Sequence, residues 1–437
     1  MVGRRLRTSQ VFYGWWMVAA IFVVLTTTSG LGFYNASVIL RVAKDELGTS
    51  VTAVSGATAL FFGVSGITGF AVARFMDQID IRWYYAAGAV LGAASLTGLR
   101  WVDSTPELYV FFVVFGMAFA VAGLVPSTTV VARWFEQRRS VALSVASTGL
   151  SFGGITLTPL VVSLLDGRTL AEAGPWMGLA WLLGVLPAAW LFIRSWPSDK
   201  GLRADGGPAV DAGDDASAPG RPAASPAELA AAAPGVPFEI GRRSRFFRFM
   251  AASYALAFLA QVGGLAQLFN LVSERQSESV AASALSILAF SSVCGRLVGG
   301  VVVTRVPTIT MTWLLILLQG VSLALIAVAD GAWALRLSAG LFGVSVGNVL
   351  MLQPLLIAES FGLRAYSRVY SLSQLIGTVG VAGGPFLIGV VRDVADYRIA
   401  FLGAALCNVA AVGLLRLAGP ISDAHALWVE PATETTT

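Results

Sequence analysis

From Tyr13 onward, long apolar runs alternate with short polar breaks. The first extends from Tyr13 to about Leu40, and five more lie near 51–73, 84–101, 107–132, 141–165 and 175–194. After a polar interval the pattern resumes near 247–272, 280–303, 309–329, 333–358, 368–391 and 399–418. Crossing the ~30 Å hydrocarbon core of a bilayer takes about 20 helical residues, and an α-helix satisfies its own backbone hydrogen bonds there. The spacing therefore predicts an all-α integral membrane protein with twelve transmembrane helices in two groups of six. Glycine and proline interrupt many runs, which suits packed membrane helices whose backbones approach closely.

The interval 195–245 is the long polar stretch, and Gly206 to Pro237 is dominated by Ala, Pro, Gly and Asp. That composition cannot bury a core, so a flexible linker is expected, with Glu228 to Ala233 able to form a short surface helix. The expected units are a six-helix bundle over 1–194, the linker over 195–245, a second bundle over 246–418 and a polar tail over 419–437.

Composition strengthens this reading. Of 437 residues, 56% are hydrophobic and 12% charged, against about 25% charged in a soluble protein. Arg4, Arg5 and Arg7 precede the first run like the start of a secretory signal. The run is too long for one, and Trp15 and Trp16 suit an interfacial belt, so a retained helix is expected. Cys294 and Cys407 both fall inside apolar runs, which excludes a disulfide framework or zinc site, and the sole histidine, His425, lies in the tail.

Basic residues set the orientation. With the N-terminus inside, seventeen arginines fall in segments on the cytoplasmic side and eight basic residues on the other, a bias that places both termini in the cytoplasm of a cell with this protein in its plasma membrane. The net charge of +4 is then a topology signal and not a nucleic-acid footprint. Arg296 is left over, near the middle of the eighth helix, while every acidic residue can be placed in a loop, tail or helix end.

A cation at that depth costs about 2.5–3.5 kcal/mol on insertion scales, so it is expected to face a watery cavity or a partner. Its fork of donors matches a carboxylate, and an anionic substrate would supply the partner. Ser292, four residues earlier, shares its helix face, whereas Gly295 and Gly299 form a separate stripe expected to pack helices. Asn35, Gln261, Gln267, Asn348, Gln353 and Gln374 are further polar residues inside runs, each equally able to line a cavity or tie helices together. Tyr34 and Tyr254 could offer hydroxyls to a substrate. No Walker-type phosphate loop, nucleophile elbow, zinc-protease motif or paired intramembrane acids occur, so neither ATP-driven transport nor an enzyme is expected, and no cofactor.

Several stretches carry a family resemblance. Asp77, Gln78, Ile79, Asp80, Ile81 and Arg82 after the second helix resemble the D-R-x-G-x-R loop signature of the major facilitator superfamily, with Asp77 and Arg82 in place and Gln78 and Asp80 departing. In the stretch after the eighth helix, Arg305 matches while Thr304 and Pro307 do not. The run Arg133-Trp134-Phe135-Glu136-Gln137-Arg138-Arg139-Ser140-Val141-Ala142 resembles the W-F-x-x-R-R-x-x-A segment between helices four and five of monocarboxylate porters. Tyr13-Gly14-Trp15-Trp16 and Ala358-Glu359-Ser360-Phe361-Gly362 are similar to bacterial members of that group.

The resemblance implies two pseudo-symmetric bundles, gating by Asp77, Arg82, Arg133, Arg138, Arg139 and Arg305, and an arginine in helix eight, here Arg296, that binds the substrate carboxylate. Proton-coupled relatives also carry an aspartate one turn before it and a lysine late in helix one; Ser292 and Asn35 stand there. Gln374 stands where the oxalate-exchanging branch has a second cation. Together these readings predict a secondary transporter of small organic anions, most of all monocarboxylates, acting as a monomer in the bilayer, with a proton or a counter-anion as the open choice of co-transported partner. An efflux carrier for lipophilic compounds is the alternative, and a ligand-sensing receptor built on a carrier fold is a remote third.

Overall fold

The computed structural model describes residues 12–206 and 225–428. Arg4, Arg5, Arg7, residues 207–224 of the expected linker and the last nine residues lie outside the described residues.

Twelve long helices form in two sets of six. The first set is α1 (Tyr13–Leu47), α2 (Val51–Ala73), α3 (Ile81–Gly98), α4 (Thr105–Trp134), α5 (Arg139–Leu165) and α6 (Leu170–Phe192). The second is α7 (Arg245–Arg275), α8 (Glu278–Val302), α9 (Thr308–Val328), α10 (Ala332–Phe361), α11 (Tyr366–Val394) and α12 (Tyr397–Ala418). Eleven of them are long and apolar enough to cross a membrane. The twelfth, α3, opens on Arg82, Trp83, Tyr84 and Tyr85, which dilutes its apolar content, yet it packs against α4 and α6 and must cross with them.

Local chemistry sets the helix ends. Ser50, Ser244, Ser277 and Asp396 accept N–H groups of the first turn of α2, α7, α8 and α12, and Thr169 with Glu172 forms a reciprocal capping box on α6. The first helix is not uniform: Ser29–Tyr34 widens into a π-helical segment, and Gly123 breaks α4.

Pseudo-symmetry is visible in how glycines seat helix pairs. On α5, Gly149 and Gly153 bring the backbone against Phe22 and Thr26 of α1, where an added Cβ would lie 2.4 and 2.3 Å from their carbonyl oxygens. On α11, Gly380 and Gly384 do the same against Ala255 and Leu259 of α7, at 2.0 and 2.3 Å. Each pair has the four-residue spacing that places small residues on one helix face. The two halves then meet along α2 with α11 and α5 with α8.

Within 195–245 the described residues carry short ordered elements, one of them overlapping the helix expected over Glu228 to Ala233. Pro197–Lys200 forms a 3-10 turn, Pro226–Ala232 a helix with a Ser225/Glu228 capping box, and Phe238–Gly241 one more turn. Val236 and Phe238 are buried against the bundles, so scattered apolar residues in an Ala/Pro-rich stretch suffice to dock it. Residues 421–428 dock too: the ring of His425 contacts the carbonyl of Glu359, and the Trp428 indole donates to Ser360 O. The helix ends that carry 74–80, 135–138, 303–307 and 362–365 share one face with these segments, called here the linker end.

Candidate functional site

A cavity of about 220 Å³ lies between the halves. Its wall combines α1, α2, α4 and α5 with α7, α8, α10 and α11, and it is mostly apolar, with Phe33, Phe62 and Phe119 among its aromatic members. Arg296 is the one charged side chain in that wall. The π-helical segment of α1 ends on Tyr34, which reaches the wall and hydrogen-bonds Ser151 of α5 near Arg296.

Arg296 is 2% exposed. Among the described residues it has no acidic partner. Its Nε donates to the Gly347 carbonyl of α10 at 2.8 Å, and its Nη1 donates to the Ser147 carbonyl of α5. Ser144 of α5 donates to the Arg296 backbone oxygen at 2.5 Å. The guanidinium thus ties a helix of each half, while Nη2 makes no hydrogen bond among the described residues.

The other expected site residues divide. Gln261 and Gln374 join Arg296 and Tyr34 on the cavity wall, and Gln261 Oε1 has no hydrogen-bond partner among the described residues. Ser292 does not line the cavity: it is 2% exposed and faces Gly347 across the α8/α10 contact. Asn348 occupies the same contact beside Gly299, its amide donating to Val344 O. Asn35 is fully buried where the π segment ends, and its amide donates to Gly30 O at 2.6 Å. Gln267 lies further toward the opposite end and accepts from Asn270 and Tyr397. Gln353 pairs with Ser373, and Tyr254 is buried away from the cavity.

Polar wall residues that the sequence reading passed over include Ser65, Ser151, Ser371 and Thr378. Ser144, Ser147 and Ser151 of α5 recur at three- and four-residue spacing, the one sequence signal that marked this face.

At the linker end the halves are latched through Asp77 and Ser367. Asp77 receives Arg133 Nη2 at 2.5 Å and the hydroxyl of Ser367, the second residue of α11, at 3.2 Å. Burial pushes the Asp77 carboxyl up, and Arg133, Ser367 and Arg368 only partly offset this. The Arg133 guanidinium stacks 4.4 Å from the centroid of a Trp196 ring. Arg82 pairs instead with Asp80, at 2.7 Å. Burial raises the Asp80 carboxyl, but hydrogen bonds from the Arg82 side chain and N–H outweigh it and hold the group below its usual range.

Arg139 bonds back to Phe135 O, and Arg138 engages only through its backbone. Asp205, held at φ +58°, accepts the consecutive N–H groups of Glu136, Gln137 and Arg138. Arg305 is exposed and takes no part in the latch. The degenerate second loop motif accounts for this, since it lacks the acid that would hold the arginine.

The sequence profile of the Major Facilitator Superfamily matches residues 12–385. The oxalate:formate antiporter of Oxalobacter formigenes is 25% identical over 190 residues, 43% of this chain and 44% of the antiporter, so the match spans less than half of that relative. Monocarboxylate transporter 13 of Rattus norvegicus is 27% identical over 341 residues, covering 75% of this chain and 71% of that protein. The human organic anion transporter MFSD10 superposes with a TM-score of 0.67 at 16% identity, over 92% of this chain and 99% of that one. The E. coli fucose:proton symporter FucP gives 0.65 at 16%, over 92% and 98%. At such identity the structural likeness establishes the fold.

Proposed function

This chain belongs to the Major Facilitator Superfamily, and from that premise we propose that it is a secondary carrier of small organic anions, monocarboxylates foremost, with Arg296 as the substrate's counter-charge. The observation that carries this reading is that Arg296 is the one charged side chain on a cavity wall contributed by both halves. A single cation among neutral amides and phenyl rings matches a single carboxylate, and a second carboxylate would be desolvated without a partner. The names of the oxalate:formate antiporter and monocarboxylate transporter relatives agree with an acid as cargo.

Energetics suit a carrier. At an effective dielectric near 20, opposite charges about 4 Å apart attract by about 4 kcal/mol, part of which is offset by desolvation. A dissociation constant near 1 mM corresponds to about −4 kcal/mol, tight enough to select and loose enough to release.

Arg296 also links binding to movement. A carboxylate taking the guanidinium fork competes with the Ser147 carbonyl, which belongs to the opposite half. Occupancy then loosens a tie between the bundles, and the halves rock around the midplane site. Inward movement of one negative charge against an inside-negative potential costs about 2.3 kcal/mol per 100 mV, so uptake is helped by a proton, an exchanged anion or rapid metabolism of the solute. The cavity wall holds no carboxylate, so a proton would travel with the substrate.

Proteoliposome flux tests the reading. Monocarboxylates are expected to compete for uptake, and Arg296→Gln to lower flux at least a hundredfold while ligand-induced thermal stabilisation disappears. Arg296→Lys keeps charge without the fork and is expected to retain weak transport. Unaltered flux in Arg296→Gln rejects the site.

A further inference from the structure

The second leg of the connecting segment is fastened to the C-terminal half by a short antiparallel bridge. Val236 N–H donates to Phe361 O at 2.8 Å, and Leu363 N–H donates to Pro234 O at 2.9 Å. Gly235 and Gly362 face each other in this bridge at φ +146° and +70°. A Cβ on Gly362 would lie 2.6 Å from the Gly235 Cα, so only glycine allows the approach. Residues 234–236 therefore move with α10 and α11.

The bridge delivers Phe238 to the seam between the halves. Its ring, on a residue 7% exposed, lies under the Arg368 guanidinium of α11, 4.0 Å from carbon to centroid. It also meets Phe70 in the last turn of α2, with centroids 6.3 Å apart and planes at 40°. Phe70 belongs to the N-terminal half. The Arg368 charge also acts on Asp77, so the ring sits beside the Asp77–Ser367 latch.

We propose that Phe238 is a wedge supplied by the connecting segment, which rides on the C-terminal half and holds the linker end shut by packing against Phe70 of the N-terminal half. Opening that end separates α2 from α11, so the Phe70–Phe238 contact breaks while the cation–π contact to Arg368 persists within one half. The segment between the bundles is thereby a component of the gate as well as a tether. Its docking sets the balance between the two access states.

The test reads distance in ligand-free full-length protein in lipid nanodiscs, so its outcome is independent of which solute the cavity takes. Spin labels go on Gln137→Cys and Arg305→Cys, exposed positions of opposite halves at the linker end, with Cys294→Ser and Cys407→Ser. The parent is expected to populate chiefly the short distance. Phe238→Ala and Phe70→Ala are each expected to raise the long-to-short ratio about tenfold, equivalent to ~1.4 kcal/mol. The double variant is expected to go no further than either single, because both remove one shared contact.

Unchanged distances in both single variants overturn the proposal, as does a parent dominated by the long distance. A shift in Phe238→Ala without one in Phe70→Ala also overturns it, since that would mark loss of docking within the C-terminal half. Where an alanine variant does not fold, Phe238→Leu and Phe70→Leu replace it, with a smaller shift of the same sign expected and no shift overturning the wedge.

Discussion

Arg133 and Arg296 are both buried, at 5% and 2% exposure, and the protein surrounds them in opposite ways. Arg133 has Asp77 at 2.5 Å and the Trp196 ring beneath it, so its charge is balanced inside the protein. Arg296 has two backbone carbonyls and a tyrosine nearby but no acid among the described residues. Carbonyl dipoles hold a guanidinium in place without neutralising it. The difference separates two surroundings for one residue type: Arg133 is paired internally beside the Asp77–Ser367 contact, and Arg296 is left without an acid among the described residues at the cavity, where we propose that it receives a solute.

Stability measurements give the sharpest way to break this comparison. Removing one partner of a buried pair leaves the other charge stranded, at a typical cost of about 3–5 kcal/mol. Arg133→Ala is therefore expected to lower the thermal unfolding midpoint strongly in ligand-free protein, with Asp77→Asn/Arg133→Met recovering much of it. Arg296→Met strands no acid and is expected to change ligand-free stability by about 1 kcal/mol or less, while still abolishing flux. Equal destabilisation by both would erase the distinction.

The cavity side can be sharpened at Gln261, whose amide is nearly buried and has an oxygen without a partner. A hydrogen bond to bound solute is worth about 1 kcal/mol, so Gln261→Leu is expected to raise KM several-fold with little change in maximal flux. An unchanged KM would show that the amide does not touch the solute.

The smallest effect concerns pH at the latch. Asp77 is held above its usual range, so the folded state gains relative stability as pH falls through that raised value, where the unfolded chain is still ionised. Asp80 is held below its range, so its contribution is present above about 3.8, its ordinary value, and is lost as pH falls through the lowered one. Between neutrality and roughly pH 4, Asp77→Asn is expected to flatten the unfolding midpoint against pH relative to the parent. A steeper profile in that variant would reverse the assignment.

Much of the architecture was legible from residue patterns. Twelve runs, eleven of them in described helices long and apolar enough to cross a membrane, and an arginine inside one of them follow from hydropathy and from the energetics of burying charge. The site residues were less legible. Ser292 lies one helical turn from Arg296 and shares its face by spacing, yet α10 crosses there, and Gly347 turns that serine into a packing contact. Asn348 fell to the same crossing, and Asn35 was claimed by the π segment, whose extra residue per turn shifts the faces that ideal helical spacing assigns. Phe238 sits in a stretch too polar to form a core of its own, and it is covered by Phe70 and Arg368 of the two bundles together with Arg242 of its own segment.

Hydropathy along the chain is enough to place this protein in lipid, crossing it in two sets of six helices, with a costly cation inside one of them. Those are consequences of solvation, which each segment meets largely on its own. Which carbonyls hold that cation, which amides share its cavity, and how a linker phenylalanine comes to lie between the halves were decided by tertiary structure. Such contacts join residues dozens to hundreds of positions apart, and helix crossing geometry selects them, so no local pattern along the chain encodes them.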